Sequence, residues 1–150
     1  MSEQYGILLV SHVAELADGL TRLLKQVAKD VTVKAVGGAE GGGIGTSFDK
    51  VIAVLNEMEE PEIFAFYDLG SAKMNLELVS EMTEKNLFIC DAAFVEGAYL
   101  TAALLQADAP GNWNLKMPSH GLWIQTLLAV YPDARLIWTH RDPLTATAAL

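Results

Sequence analysis

The sequence predicts an open, mostly parallel α/β sheet flanked by helices. Short strand-like runs recur at residues 6–10, 31–36, 63–67 and 87–89, and the first is uniformly apolar, as suits a parallel strand buried on both faces. Stretches with apolar residues at helical spacing separate them. Serine, histidine, aspartate or glycine follows the first three runs, as expected where strands hand over to loops. Strand and helix alternate without an internal repeat, so parallel strands joined by helical crossovers are the economical solution.

Gly6-Ile7-Leu8-Leu9-Val10 opens the chain as a uniformly apolar strand. Residues 13–29 follow as a helix with Leu16, Leu20, Leu23, Leu24 and Val27 on one face. A second strand spans 31–36, and residues 37–45 form a loop with six glycines. Thr46 or Ser47 caps the next helix, which buries Phe48, Val51, Ile52 and Leu55 and places Asp49 in its first turn. The third strand, 63–67, is closed by Asp68-Leu69-Gly70-Ser71. A short helix at 75–84 leads to a fourth strand that starts at 87–89 and extends as far as Ala93. An alanine-rich helix at 96–106 ends this part, read as one domain over residues 1–107.

Composition then shifts. Residues 108–112 read as a linker, and residues 113–150 hold all three tryptophans and two of the three histidines. Residues 121–130 have helical character and 134–139 strand character, and the chain stops in what reads as the start of a further helix.

A chain of 150 residues is long enough for one domain with a substantial core. No apolar run approaches the roughly 18 residues that would cross a bilayer. The opening Met-Ser-Glu-Gln lacks the basic region of a secretory signal, so a cytoplasmic location is expected. Cys90 is the only cysteine, which excludes an internal disulfide or a thiolate cluster; it is expected to pack in a strand. A net charge of −9 argues against non-specific nucleic-acid binding. The acidity serves solubility and suits docking to a basic patch on a partner.

The chemistry-bearing residues gather at one predicted sheet edge. Ser11-His12, the glycine-rich loop with Gly45, Thr46 and Ser47, Asp68 to Ser71, and Phe94-Val95-Glu96-Gly97 all fall at strand ends or in loops. In a parallel sheet the carboxyl-end loops converge and carry ligands. Neutral imidazole is a good nucleophile near pH 7, and a carboxylate on one ring nitrogen fixes the tautomer of the other. His12 is therefore the candidate phosphoryl acceptor and Asp68 its orienter. Thr46, Ser47, Gly45 and Ser71 supply hydroxyls and backbone near helix N-termini, where anions are favoured. Each signal alone has an ordinary meaning: a structural histidine, a helix cap, a turn aspartate. The glycine loop is not a Walker motif, since no Gly-Lys-Ser/Thr closes it. No metal site is indicated.

Longer motifs carry a resemblance. Gly6 to His12, Ala17-Asp18-Gly19-Leu20, Gly37-Gly38, and Gly43-Ile44-Gly45-Thr46-Ser47-Phe48-Asp49 resemble the mannose-type phosphotransferase EIIA family. Tyr67-Asp68-Leu69-Gly70-Ser71-Ala72-Lys73-Met74-Asn75-Leu76-Glu77 and Phe94-Val95-Glu96-Gly97-Ala98-Tyr99 resemble its DhaM-like members, subunits of PEP-dependent dihydroxyacetone kinases. The likeness covers roughly residues 5–107. It implies a phosphotransferase in which HPr or an HPr-like donor phosphorylates His12. His12 then passes the group to ADP bound in a DhaL subunit, for phosphorylation of dihydroxyacetone on DhaK. It also implies a homodimer, a covalently carried phosphoryl group and no bound cofactor. Two alternatives remain open: a sugar-specific EIIA of the mannose type, and a non-catalytic flavodoxin-like module binding a nucleotide or anion.

From Trp113 the likeness changes. Leu115 to His120 and Tyr131 to Pro143 resemble an interior fragment of a sulfotransferase. Arg141 matches that family's nucleotide-gripping arginine, but Ala149 stands where its serine belongs, and the glycine-rich phosphosulfate loop is absent. Sulfotransferase activity is not expected. The tail reads as the product of a fusion of unrelated reading frames or of sequence assembly, an atypical C-terminal extension rather than a domain. Limited proteolysis is expected to leave a protected fragment ending near residues 107–112; uniform resistance through residue 140 would contradict a dispensable tail.

Overall fold

The computed structural model describes residues 4–107. The predicted linker, the helix at 121–130, the strand at 134–139 and the sulfotransferase-like segment lie outside the described residues. The chain runs β1 (Tyr5–Ser11), α1 (Ala14–Val27), β2 (Thr32–Gly37), a single 3₁₀ turn (Glu40–Gly42), α2 (Phe48–Glu57), β3 (Glu62–Tyr67), α3 (Gly70–Met82), β4 (Asn86–Ile89) and α4 (Phe94–Ala107).

Four parallel strands form one sheet in the order β2-β1-β3-β4. The chain moves outward from β1 to β2, then crosses back to place β3 on the other side of β1. That reversal is a topological switch, and in open α/β sheets it leaves a crevice at the carboxyl ends of the two central strands. Here those ends are Ser11 and Tyr67.

The central strands β1 and β3 are almost uniformly apolar because both of their faces are covered. Ile7, Leu9, Phe64 and Phe66 point to one side and pack with Leu20 and Leu24 of α1 and Ala98, Ala102 and Leu105 of α4. Leu8, Val10, Ile63 and Ala65 point to the other and pack with Val51 and Leu55 of α2 and Leu76 and Val79 of α3. Tyr5, Phe64 and Phe88 stack across three neighbouring strands, with ring centroids 5.6 and 5.2 Å apart. Cys90 is buried in the first of these cores, just past the end of β4.

Several elements depart from the sequence expectation. In α1 the buried residues are Ala17, Leu20 and Leu24, while Leu16 and Leu23 stay exposed. The small Ala17 lets the helix approach the sheet along a face rotated from the leucine stripe. α3 starts at Gly70 rather than at residue 75, because Leu69 takes the cap position in extended conformation and its carbonyl accepts from Ala72 N–H at 3.0 Å. The residues read as a turn are thus also the helix start. The ladder at β4 stops at Ile89: Cys90 N–H still reaches Ala65 O at 2.9 Å, but Ala92 N–H then turns back onto Cys90 O. α4 begins two residues earlier than expected, at Phe94.

One glycine is required by close packing. A Cβ on Gly37, the last residue of β2, would lie 2.4 Å from Ala14 Cα and 2.9 Å from Val13 O. Both contacts are backbone at the start of α1, so neither can swing aside. Gly37→Ala is expected to destabilise the fold by about 1–3 kcal/mol. Gly19, exposed in α1 with nothing within 4 Å of its would-be Cβ, is the internal control. Gly19→Ala should stabilise by about 0.5–1 kcal/mol. Urea denaturation of both variants checks the pair; equal effects would contradict the packing at Gly37.

Candidate phosphoryl-acceptor site

The register between the central strands sets the site. Val10 pairs with Tyr67, and Asp68 N–H donates to Val10 O at 3.3 Å. Asp68 therefore leaves β3 beside Ser11 and His12 as they leave β1. Its carboxylate accepts four hydrogen bonds. Oδ2 takes the Ser11 hydroxyl and the His12 backbone N–H, each at 2.8 Å. Oδ1 takes His12 Nδ1 at 2.8 Å and the Leu69 backbone N–H at 2.7 Å. Ser11 is fully buried, and its Oγ also accepts from Val13 N–H at 3.1 Å.

Partial burial raises the Asp68 carboxyl toward neutrality. The bonds from the His12 amide, the His12 ring, Ser11 and Leu69 outweigh that and hold it below the ordinary aspartate value. An ionised carboxylate only accepts, so His12 Nδ1 must carry the proton. In the neutral ring Nε2 then holds the lone pair, the state a nucleophile needs. Ser71 Oγ lies 2.5 Å from Nε2, and with Nε2 unprotonated it is the hydroxyl that donates. The His12 side chain is 15% exposed and Ser71 is exposed, so this nitrogen sits at the protein surface.

Ser71 occupies the first turn of α3. The amides of Ala72 and Lys73 fold back onto Leu69 O, and those of Gly70 and Ser71 lead the turn. The first amides of a helix have no partner within it and carry partial positive charge, which suits an anion.

The glycine loop acts mainly on the His12 backbone. Gly45 N–H donates to His12 O at 2.9 Å, and Gly38 N–H to Ser11 O at 3.3 Å. Gly45 has φ +147°, and a Cβ there would sit 3.1 Å from Ala39 Cβ, so the position favours glycine. Thr46 Oγ1 accepts from Asn75 Nδ2 at 2.8 Å, which ties the end of the loop to α3. Ser47 turns elsewhere: it caps α2 by accepting from Lys50 N–H at 3.3 Å and donates to Glu40 at 2.6 Å.

The structure thus brings His12, Asp68 and Ser71 into direct contact, joins Gly45 to them through the His12 carbonyl, and commits Ser47 to the helix cap. Sequence reasoning missed the roles of Ser11 and Asn75. A serine at the end of an otherwise apolar strand was the available signal for Ser11, because a buried hydroxyl needs a partner. Among the described residues, no group of three or more His, Cys, Asp or Glu side chains is arranged to hold a metal ion. No described helix is long and apolar enough to cross a membrane.

A profile of the EIIA-man family, described as the PTS system fructose IIA component, matches residues 6–110. The chain belongs to this family. The phosphotransferase subunit DhaM of the PTS-dependent dihydroxyacetone kinase from Lactococcus lactis is 52% identical over 105 residues, which cover 70% of this chain and 85% of that protein. The phosphoryl donor subunit DhaM of PEP-dependent dihydroxyacetone kinase 1 from Listeria innocua is 44% identical over 108 residues, covering 72% and 87%. The family fold recurs in the crystal structure of EF1359, a protein of unknown function. It is 32% identical with a TM-score of 0.64, covering 71% of this chain and 85% of that one. The recognition of a DhaM-like EIIA and of its α/β fold therefore holds for the described part of the chain.

The four bonds to Asp68 set a pH dependence. Its folded carboxyl lies below the ordinary value, so ionised Asp68 contributes stability above about pH 4. That contribution is lost as pH falls through the folded value. Asp68→Asn is expected to be less stable than the wild type at neutral pH, and the gap should narrow on acidification. Denaturation midpoints at successive pH values measure it; a gap that widens with acid would contradict an ionised Asp68.

Proposed function

We propose that the chain is a phosphohistidine carrier of the DhaM type. Residues 1–107 form the carrier domain, with His12 as the phosphoryl acceptor and Asp68 as the group that orients it. The donor is HPr or an HPr-like phosphohistidine protein. The acceptor is ADP bound in a DhaL subunit, and the ATP formed there phosphorylates dihydroxyacetone on DhaK. The DhaM relatives support the role of phosphoryl-donor subunit and favour this branch over a sugar-specific EIIA. The observation that carries the reading is the pairing of His12 Nδ1 with Asp68 Oδ1, which in the neutral ring leaves Nε2 with its lone pair at the first turn of α3.

The steps balance without a further reactant. The Nε2 lone pair attacks phosphorus as the donor's nitrogen–phosphorus bond breaks, and the Nδ1 proton stays with the ring, facing Asp68. As the phosphoryl group approaches, the Ser71 hydroxyl gives up its bond to Nε2, which frees the lone pair for that attack, and turns to a phosphoryl oxygen, joined by the leading amides of α3. In the second transfer a terminal ADP oxygen attacks, the Nε2–phosphorus bond breaks, and Nε2 regains its lone pair. Beyond the covalent bond made and broken at Nε2, the protein contributes positioning and electrostatic stabilisation. A surface nitrogen suits a carrier, because two different proteins must reach it in turn. Thr46, tied to α3 through Asn75, adds a hydroxyl on the glycine-loop side. Gly45 acts through the His12 carbonyl, and Ser47 through the cap of α2. The phosphoryl group is the only cargo, carried covalently; no cofactor is bound. The subunit works as a homodimer in the cytoplasm.

Incubation with PEP and the general phosphotransferase proteins tests the assignment. The wild type should take an acid-labile label that DhaL–ADP discharges. His12→Ala should take none, and Asp68→Asn should be labelled at least about tenfold more slowly. An equally labelled His12→Ala protein would refute His12 as the acceptor.

A further inference from the structure

Beyond Asp68, a second carboxylate organises the same sheet edge. Asp91 follows β4 and meets two groups from other elements. Lys73 Nζ, from the start of α3, contacts both of its oxygens, at 2.7 and 2.9 Å. Tyr67, the last residue of β3 and the neighbour of Asp68 in sequence, donates its phenolic O–H to Asp91 Oδ1. The Lys73 ammonium also lies 5.9 Å from the centroid of the Tyr67 ring.

The pair is exposed: the side chains of Lys73 and Asp91 are 33% and 63% accessible. Exposed ion pairs add little to stability. The geometry serves another purpose. It ties the end of β3, the first part of α3 and the β4–α4 loop to a single carboxylate. Ser71, whose hydroxyl meets His12 Nε2, lies two residues before Lys73 on the same turn. On the other side of that turn, Asn75 is bound to Thr46 of the glycine loop. The start of α3 is therefore anchored on both flanks, with Ser71 beside the reacting nitrogen.

We infer that Asp91 is a positioning residue for phosphoryl transfer: through Lys73 and Tyr67 it fixes the first turn of α3, so that Ser71 and the leading amides stay aimed at His12 Nε2. The inference rests on the phosphohistidine reading of His12 for its functional consequence, but its geometric content can be tested separately. The cluster holds its charges through neutral pH. Lys73 and Tyr67 keep the Asp91 carboxyl below the ordinary range, Asp91 holds the Lys73 ammonium above it, and burial followed by Asp91 pushes the Tyr67 phenol up. Tyr67 stays protonated and the ion pair stays charged, so the anchor holds wherever the carrier works. The demand for placement comes from the chemistry. The Ser71 hydroxyl must leave Nε2 and find a phosphoryl oxygen within the same turn, and displacements near 1 Å in such arrangements cost as much as about a hundredfold in rate.

Three variants test this: Asp91→Ala, Lys73→Met and the conservative Lys73→Arg. One measurement is the ¹⁵N resonance of His12 Nε2 in the unphosphorylated protein, which reports the Ser71 bond without any transfer. The other is the split between kcat and KM for phosphorylated donor protein. Asp91→Ala and Lys73→Met are expected to move the Nε2 resonance and to lower kcat about tenfold with KM unchanged; Lys73→Arg should retain both. If Asp91→Ala does not fold, Lys73→Met carries the same test from an exposed ammonium. An unmoved resonance, a raised KM with unchanged kcat, or a faster Asp91→Ala protein would overturn the inference. If the wild type itself takes no label, the phosphohistidine reading fails and the resonance alone decides: displacement in both variants supports the anchor, and its absence overturns it.

Discussion

The site depends on one carboxylate with four donors. Asp68 binds the Ser11 hydroxyl, the His12 amide, the His12 ring and the Leu69 amide at 2.7–2.8 Å. These bonds satisfy a fully buried serine, set the path of the chain out of β1, and open the path into α3. They also keep the carboxyl ionised, which decides the proton on His12. An asparagine in the same place would present a donor on one side and disrupt at least one of the four. Local geometry and chemical state are thus set by the same residue, and the parallel register of Val10 with Tyr67 delivers it there.

Around this centre the scaffold separates holding from reacting. The glycine loop grips the backbone of Ser11 and His12 through Gly38 and Gly45, leaving the imidazole free to face α3. Ser47 and Lys50 keep the loop in place, the first by capping α2 and bonding Glu40, the second by reaching Ala39 O at 2.8 Å. α3 supplies the hydroxyl and the helix terminus on the reacting side. A helix terminus acts on an anion only within about its first turn, so the placement of that turn matters more than the length of the helix behind it.

Much of this was legible in the chain. Buried strands announce themselves as uniform apolar runs, and a histidine and an aspartate at the ends of two such runs meet once the strands are adjacent and parallel. What stayed hidden depends on rotation and on dual use of residues. The leucine stripe of α1 suggested a buried face that includes Leu16 and Leu23, yet the sheet accepts the face centred on Ala17 because the smaller side chain permits closer approach. Asp68-Leu69-Gly70-Ser71 carries turn residues, and turn chemistry is also what starts a helix, so the sequence pattern places the origin of α3 five residues late. Ser47 and Thr46 looked alike as hydroxyls at a helix start, and only their partners, Glu40 and Asn75, separate them. The meeting of Asp91 with Tyr67 and Lys73 has no local pattern, since only the pairing of β3 with β4 brings Asp91 to them.

The central claim is that the phosphoryl group forms on Nε2 because Asp68 holds the proton on Nδ1. One-bond ³¹P–¹⁵N coupling in the phosphorylated, ¹⁵N-histidine-labelled protein measures this directly. The account predicts a coupling to Nε2 of His12. A coupling to Nδ1, or phosphorus bound outside His12, would contradict it.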